Sequence, residues 1–264
     1  MSAPKSTAAK TPAELAAEFN RILSKGPKAD KGCVALTRAA RALVDTDYDD
    51  ADLFRRGMKH VQMEPVWGGR EDVAAELRAV CGMGLANTHD PNALRDLVDL
   101  LTDREWIARA GAARAIAAMG SEAAALLLRL KILLGDKETE VLSDCMLGLI
   151  DIEGARAFPL IESVADSAAE EVREAALLAL GASRRADGIE ILKARYEATA
   201  DPKTKKCVLL ALSSSRTEQA IEYLCGLIRE GSQATIDAVI SSMSLHRDDA
   251  RIQDQIEKAL SSRG

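Results

Sequence analysis

The sequence predicts an all-α solenoid, a linear stack of helical hairpins, and three observations point to it. First, a helical signature returns every 31 to 33 residues between about Ala75 and Met243. Each copy starts from an anchor (Ala75, Ala108, Val141, Val172, Thr204, Thr235). Four residues on stands a small or β-branched residue: Ala79, Ala112, Cys145, Ala176, Val208, Val239. Seven on stands a tiny one, Gly82, Ala115, Gly148, Ala179, Ala211 or Ser242, and eight on a larger apolar one, Met83, Ile116, Leu149, Leu180, Leu212 or Met243. A fixed period with one supersecondary unit per turn marks a repeat architecture in which each unit buries its apolar edge against its neighbours. Second, aromatics make up only 3% of the chain, and alanine and leucine dominate its 47% of apolar residues. That composition suits helices packed through small contacts and lacks the β-branched and aromatic runs that strands favour. Third, turn residues fall between the periodic segments, as described next.

The start, from Met1 to Lys10, is rich in Ser, Ala, Lys and Pro and reads as a disordered tail without a secretory signal. Thr11-Pro12 followed by Glu14 supplies a capping hydroxyl, a first-turn proline and an acidic residue near the positive end of a helix. Leu15, Phe19 and Ile22 form its apolar side, and Lys25-Gly26-Pro27 ends it. Val34 to Leu43 gives a second helix, closed by an acidic loop from Asp45 to Asp50, and a third is expected from Asp52 to Gln62. Glu64-Pro65-Val66-Trp67-Gly68-Gly69-Arg70 is the one connection of unusual content. The helices of residues 11–65 lack the signature and are expected to cap an array spanning 66–264.

In that array, first helices are expected near Pro91–Leu101, Ser121–Leu134, Ala155–Val164, Gly188–Tyr196 and Gln219–Ile228, each followed by a helix bearing the signature. His89-Asp90-Pro91, Gly120-Ser121, Asp201-Pro202 and Gly231-Ser232 punctuate them. A last helix, Arg251 to Leu260, has one apolar side and one charged side, as an exposed array end requires. At 100° per residue, offsets 0, 4, 7 and 8 share one helix face, so the tiny residue admits a close neighbour and the larger one fills the space beside it.

The net charge of −6 argues against nucleic acid or an anionic membrane as the main partner. No apolar run reaches the roughly 18–20 residues that cross a bilayer. Five scattered cysteines (Cys33, Cys81, Cys145, Cys207, Cys225) form no C-x-x-C and read as buried free thiols, which fits a reducing cytoplasm. There is no H-E-x-x-H, G-x-S-x-G, phosphate loop or zinc cluster, so neither a catalytic constellation nor a metal or cofactor is expected.

The segments Ala108 to Ile116 and Val172 to Gly181 resemble HEAT repeats, in particular the short bacterial type called PBS-lyase HEAT-like. The family pattern places an arginine one residue after the anchor, which Arg109 and Arg173 match and Lys205 matches loosely; Glu76, Leu142 and Ile236 depart from it. It also favours aspartate in the turn before the second helix, where Asp103, Asp136, Asp166 and Asp201 stand. The resemblance implies a structural Asp–Arg ladder and a right-handed α-solenoid (superhelix) of about seven antiparallel helix pairs. Proteins resembling such repeats include adaptor scaffolds, bilin lyase subunits, a DNA glycosylase group and an iron-dependent deoxyhypusine hydroxylase. None of His60, His89 and His246 is followed by glutamate, so the His-Glu pairs through which the hydroxylase binds iron are missing. Arg38, Arg41, Arg78, Arg109 and Arg114 put positive charge in the first half, but Glu76, Asp144, Glu171 and Glu174 interrupt any basic stripe a glycosylase-like protein would need.

The expected role is that of a non-catalytic scaffold for a protein partner, with a lyase-type subunit as the alternative. Six residues after each anchor stand Cys81, Arg114, Leu147, Leu178, Leu210 and Ser241, facing away from the paired helix onto what is usually the concave side. Leu147, Leu178 and Leu210 would form a row spaced about 8–10 Å, close to the roughly 10.5 Å of two turns in a docked amphipathic helix. Either that row is open to a partner segment, or the leucines are half-covered by neighbouring second helices. Trp67 likewise is either an exposed anchor or a plug where irregular helices meet regular repeats. The candidate partner-binding residues are Leu147, Leu178, Leu210, Arg114 and Trp67.

Overall fold

The structure is a computed structural model that describes residues 10–167 and 169–262. Of the expected N-terminal tail, only Lys10 lies among the described residues, where it pairs with Glu18. The chain divides between Lys131 and Ile132 into two compact units. No described helix is long and apolar enough to cross a membrane.

The first unit opens with helices α1 (Pro12–Lys25), α2 (Val34–Val44) and α3 (Ala51–Met58). The expected capping box at α1 forms: the Glu14 backbone N–H donates to the Thr11 hydroxyl, and the Thr11 N–H donates to the Glu14 carboxylate. Gly26 ends the helix at φ 75°, where a side chain would be strained. After α3 come strands β1 (Met63–Val66) and β2 (Gly69–Asp72), paired antiparallel with Met63 opposite Asp72 and Val66 opposite Gly69. Helices α4 (Ala75–Asn87), α5 (Ala93–Leu100) and α6 (Trp106–Ala118) follow, and α7 (Glu122–Leu134) runs across the division. The second unit holds α8 (Thr139–Glu153), α9 (Phe158–Ala165), α10 (Glu170–Ala182), α11 (Ala186–Ala198), α12 (Pro202–Ser215), α13 (Glu218–Glu230), α14 (Gln233–Met243) and α15 (Ala250–Ser261).

The fold is all-α and built from helix pairs. In the first unit α1 packs on α2, α3 on α4 and α5 on α6, and the second members stack as α2, α4, α6. In the second unit α9/α10, α11/α12 and α13/α14 pair, the second members stack as α8, α10, α12, α14, and α15 covers α13. The repeat register holds at the level of single side chains. Ala112, Cys145, Ala176, Val208 and Val239 are buried, as are Ala115, Ala179 and Ala211 and the large residues Ile116, Leu149, Leu180 and Leu212. Close approach is greatest where glycine faces a neighbour's backbone. A Cβ on Gly111 would lie 2.6 Å from Ala79 Cα, and one on Gly181 would lie 2.2 Å from the Ala211 carbonyl oxygen.

Two expectations need correcting. Helix α3 stops at Met58 instead of Gln62, and the unusual connection is a β-hairpin. Both have one cause: Gln62 is drawn out of the helix into the hairpin base. Its N–H donates to Asp72 Oδ1 at 3.0 Å, its Nε2 donates to the Asp30 carbonyl at 2.7 Å and to Glu64 Oε1 at 2.7 Å, and Glu64 also accepts from the Gly32 N–H. Among the described residues this hairpin is the only sheet.

Candidate protein-binding surface

In the second unit, Leu147, Leu178 and Leu210 stand on the consecutive stacked helices α8, α10 and α12. All three are half-buried, whereas the residues just before them, Met146, Leu177 and Leu209, are buried. Neighbouring second helices therefore cover one side of each leucine, and the other side meets solvent. The row exists as a partly covered strip, not as three fully open side chains.

In the first unit, Arg114 is exposed on α6 at the edge of a groove of 290 Å³ that also touches α2 and α4. Val80, Met83 and Ile107 give the groove an apolar floor; Arg41, Asp45, Glu76 and Arg114 rim it. Arg41 and Glu76 are ion-paired across the rim. A groove of this kind offers apolar contact in the middle and charged groups of both signs at its edge. Trp67 is not among its lining residues.

Trp67 is fully exposed at the hairpin tip, beside Gly68 at φ 90°. The plug reading does not fit, since the indole is fully exposed and packs into no gap among the described residues. Val66 and Met63 on β1 are exposed as well. The hairpin base, in contrast, is rigidly held. Arg78 on α4 donates from Nη1 to Asp72 Oδ2 at 2.7 Å and to the His60 carbonyl at 3.0 Å, and from Nε and Nη2 to both oxygens of Asp103 at 2.8 and 2.9 Å. Burial alone would raise the Asp72 carboxyl, but donation from the Gln62 and Ala74 N–H groups and from Arg78 outweighs it and holds the carboxyl below its usual range.

This network takes Arg78 out of the positive charge counted in the first half of the sequence. Arg78 is 3% exposed and spends its charge inside the unit, so it presents nothing to a ligand. Arg109 donates to the carbonyls of Asp103 and Arg104, and Arg173 to that of Ser167, each fastening the loop that precedes its helix. Asp103 accepts from Arg78, Asp201 caps α12 through the Lys203 and Thr204 N–H groups, and Asp166 accepts from Arg195. These residues make bonds that hold the frame, Arg109 and Arg173 to backbone carbonyls and Asp103 and Asp166 to the arginines Arg78 and Arg195.

All five cysteines are buried free thiols. Burial pushes the Cys33 thiol up to about 12 and that of Cys207 to about 11, and it raises Cys81 and Cys225 too, which suppresses the reactive thiolate at neutral pH. Among the described residues no group of three or more His, Cys, Asp or Glu is placed to hold a metal ion.

Sequence reasoning missed the hairpin, the burial of Arg78 and the exposure of α7, whose Leu126, Leu130, Leu133 and Leu134 face solvent. Only the density of leucine from Leu126 to Leu134 hints at the last.

No curated protein matches the chain in sequence. Among solved structures, the complex of CpcE and CpcF of phycocyanin lyase from Nostoc sp. PCC7120 is similar over 98% of this chain and 98% of that chain, at 16% identity and a TM-score of 0.49. Human deoxyhypusine hydroxylase in complex with glycerol is similar over 95% of this chain and 97% of that one, at 17% identity and a TM-score of 0.39. The sequence profile of HEAT repeats matches residues 69–149 and 158–244, well over half of the sequence. With the repeat register, the stacked helix pairs and this match together, the chain belongs to the HEAT-repeat family.

Proposed function

We propose that the chain is a non-catalytic scaffold that holds a protein partner, receiving an amphipathic helix or short linear segment on the faces of its second helices. The carrying observation is the row of Leu147, Leu178 and Leu210, which leaves a strip of leucine open on three helices that pack against one another. Adjacent second helices lie about 8–10 Å apart, so a docked helix can place one apolar side chain on each leucine about every second turn. Apolar contact supplies affinity and charged edges set register. In the first unit the groove beside Arg114 and the exposed indole of Trp67 offer further contacts of the same kind, aromatic and arginine side chains being the usual anchors of interfaces. In this reading the helices of residues 11–65 and α15 act as caps for the repeats of 66–264.

An affinity pull-down with the wild type beside a Leu147→Ser, Leu178→Ser, Leu210→Ser variant tests the proposal. The variant keeps the helical circular dichroism of the wild type and loses a protein that the wild type retains. Equal capture by both, with folding intact, would end the assignment of that row.

A further inference from the structure

The charges beside Leu147, Leu178 and Leu210 change sign along the row. On α8, Glu140 stands two turns before Leu147 and Asp151 one turn after it. On α10, Glu171 and Glu174 stand two turns and one turn before Leu178. Side chains spaced by whole turns share a helix face, so these carboxylates lie on the side that carries the leucines. Glu140, Asp151 and Glu171 are exposed, and Glu174 is half-buried. Helix α8 has no lysine or arginine, and the single arginine of α10, Arg173, donates to the Ser167 carbonyl. On α12 the same two positions before Leu210 hold Lys203 and Lys206 instead. Helix dipoles do not account for this change. Glu140 and Glu171 sit in first turns, where acidic residues are favoured, but Glu174 lies beyond its first turn, and α12 opens with lysines at the end that disfavours them. Lys203 is offset by an ion pair with Glu170 of α10 at 2.9 Å, whereas Lys206 is exposed.

We infer that the segment received by this row is a basic amphipathic helix, with its lysines or arginines over α8 and α10. The inference rests on the reading of the leucine row given above and adds the charge and direction of the partner. An apolar side chain every second turn meets each leucine in succession. Basic residues flanking the first two of them face Glu140, Asp151, Glu171 and Glu174, and an acidic or neutral residue flanking the third faces Lys206. A helix of the opposite charge pattern meets like charge at each of these places, so the surface selects against it as well as for the basic one. Exposed charge pairs are individually weak. Acting together beside an apolar row, they choose the partner and its direction more than they hold it.

Fluorescence anisotropy of the full chain with two labelled synthetic helices tests this. Both peptides carry a leucine every second turn; one has lysines beside the first two leucines, and its twin has glutamates there. The lysine peptide binds roughly tenfold more tightly than its twin at low salt, and the gap narrows in roughly 0.5 M salt, where exposed charges are screened. A Glu171→Gln, Glu174→Gln variant loses most of that preference. A Glu230→Gln, Glu257→Gln variant, equal in net charge but altered on α13 and α15, keeps it. The Leu147→Ser, Leu178→Ser, Leu210→Ser variant weakens both peptides, and all three variants retain helical circular dichroism. Equal binding of the two peptides, each weakened by the serines, overturns the basic partner and leaves the leucine row standing. A preference reduced equally by the two glutamine variants also overturns it, because net charge alone then attracts the lysines. Binding of neither peptide, or binding indifferent to the three serines, overturns the leucine row and this inference with it.

Discussion

Arg78 shows how a single side chain can be committed to structure while reading in the sequence as surface charge. Its guanidinium joins the hairpin base at Asp72 to the loop before α6 at Asp103, with three ion-paired nitrogen contacts and almost no exposure. Removing one member of a buried ion network strands its partners, at a cost of about 3–5 kcal/mol. Arg78→Ala should lose stability of that order in urea, and Arg78→Lys should recover only part, because an ammonium lacks the planar fork that grips both Asp103 oxygens. The Asp72 carboxyl carries a pH signature. Its folded-state pKa lies below the unfolded value of about 3.8, so its contribution is fully present above that value and drains away as pH falls through the folded one. Urea midpoints should therefore hold steady near neutrality and fall below about pH 4. Asp72→Asn should be less stable at neutral pH and show a shallower acid limb. At Gly111, the approach of Ala79 leaves no room for a methyl group; Gly111→Ala should destabilise by about 1–3 kcal/mol, and a neutral result would mean that α4 and α6 are further apart than described.

Among elements, the β-hairpin is the one whose tip does nothing for its own fold. Trp67→Ala should change unfolding free energy by no more than about 0.5 kcal/mol. Iodide should quench the Trp67 indole efficiently, and in Trp67→Phe the remaining emission from the less exposed Trp106 should be quenched less; equal quenching of wild type and variant would contradict the exposed tip. Most of the helices were legible from the repeat offsets or a 3.6-residue apolar pattern, and some also from a capping residue, such as Thr11 at α1 and Asp201 at α12. The hairpin was not. Its strands have four residues each, Pro65 interrupts one, and Arg70-Glu71-Asp72 makes the other polar, so no alternation announces them. What fixes them is long-range: Glu64 reaching Gly32 and Gln62 reaching the Asp30 carbonyl, both 32 residues away in sequence. The open side of α7 was illegible for the opposite reason. With leucine on both sides, periodicity names no face, and only the packing of Leu128 and Ile132 tells which half is covered.

For the molecule as a whole, the repeat offsets gave the fold class and the interior, while the candidate surface was legible only as a set of positions. Offset six does not pick out one open face: its first member, Cys81, is buried against Gly57 of the paired helix α3, and the extent of cover on Leu147, Leu178 and Leu210 depends on the spacing of α8, α10 and α12. Of the arginines of the first half, Arg78 and Arg109 spend hydrogen bonds on the frame, whereas Arg41 pairs with Glu76 at the surface. The cysteines make a global test of packing: native protein should react slowly with a disulfide reagent and take up five equivalents once unfolded. Stability in a stacked array is close to a sum over units and nearest-neighbour contacts, so the tiny residues between second helices should matter out of proportion to their size. Chemical unfolding of Ala211→Leu beside Gly181→Ala tests that most directly. Both should shift to lower denaturant by an amount equivalent to about 1–3 kcal/mol, since α10 and α12 meet backbone to backbone there. If both instead unfold at the wild-type midpoint, the second helices do not lie against one another and the stack is wrong.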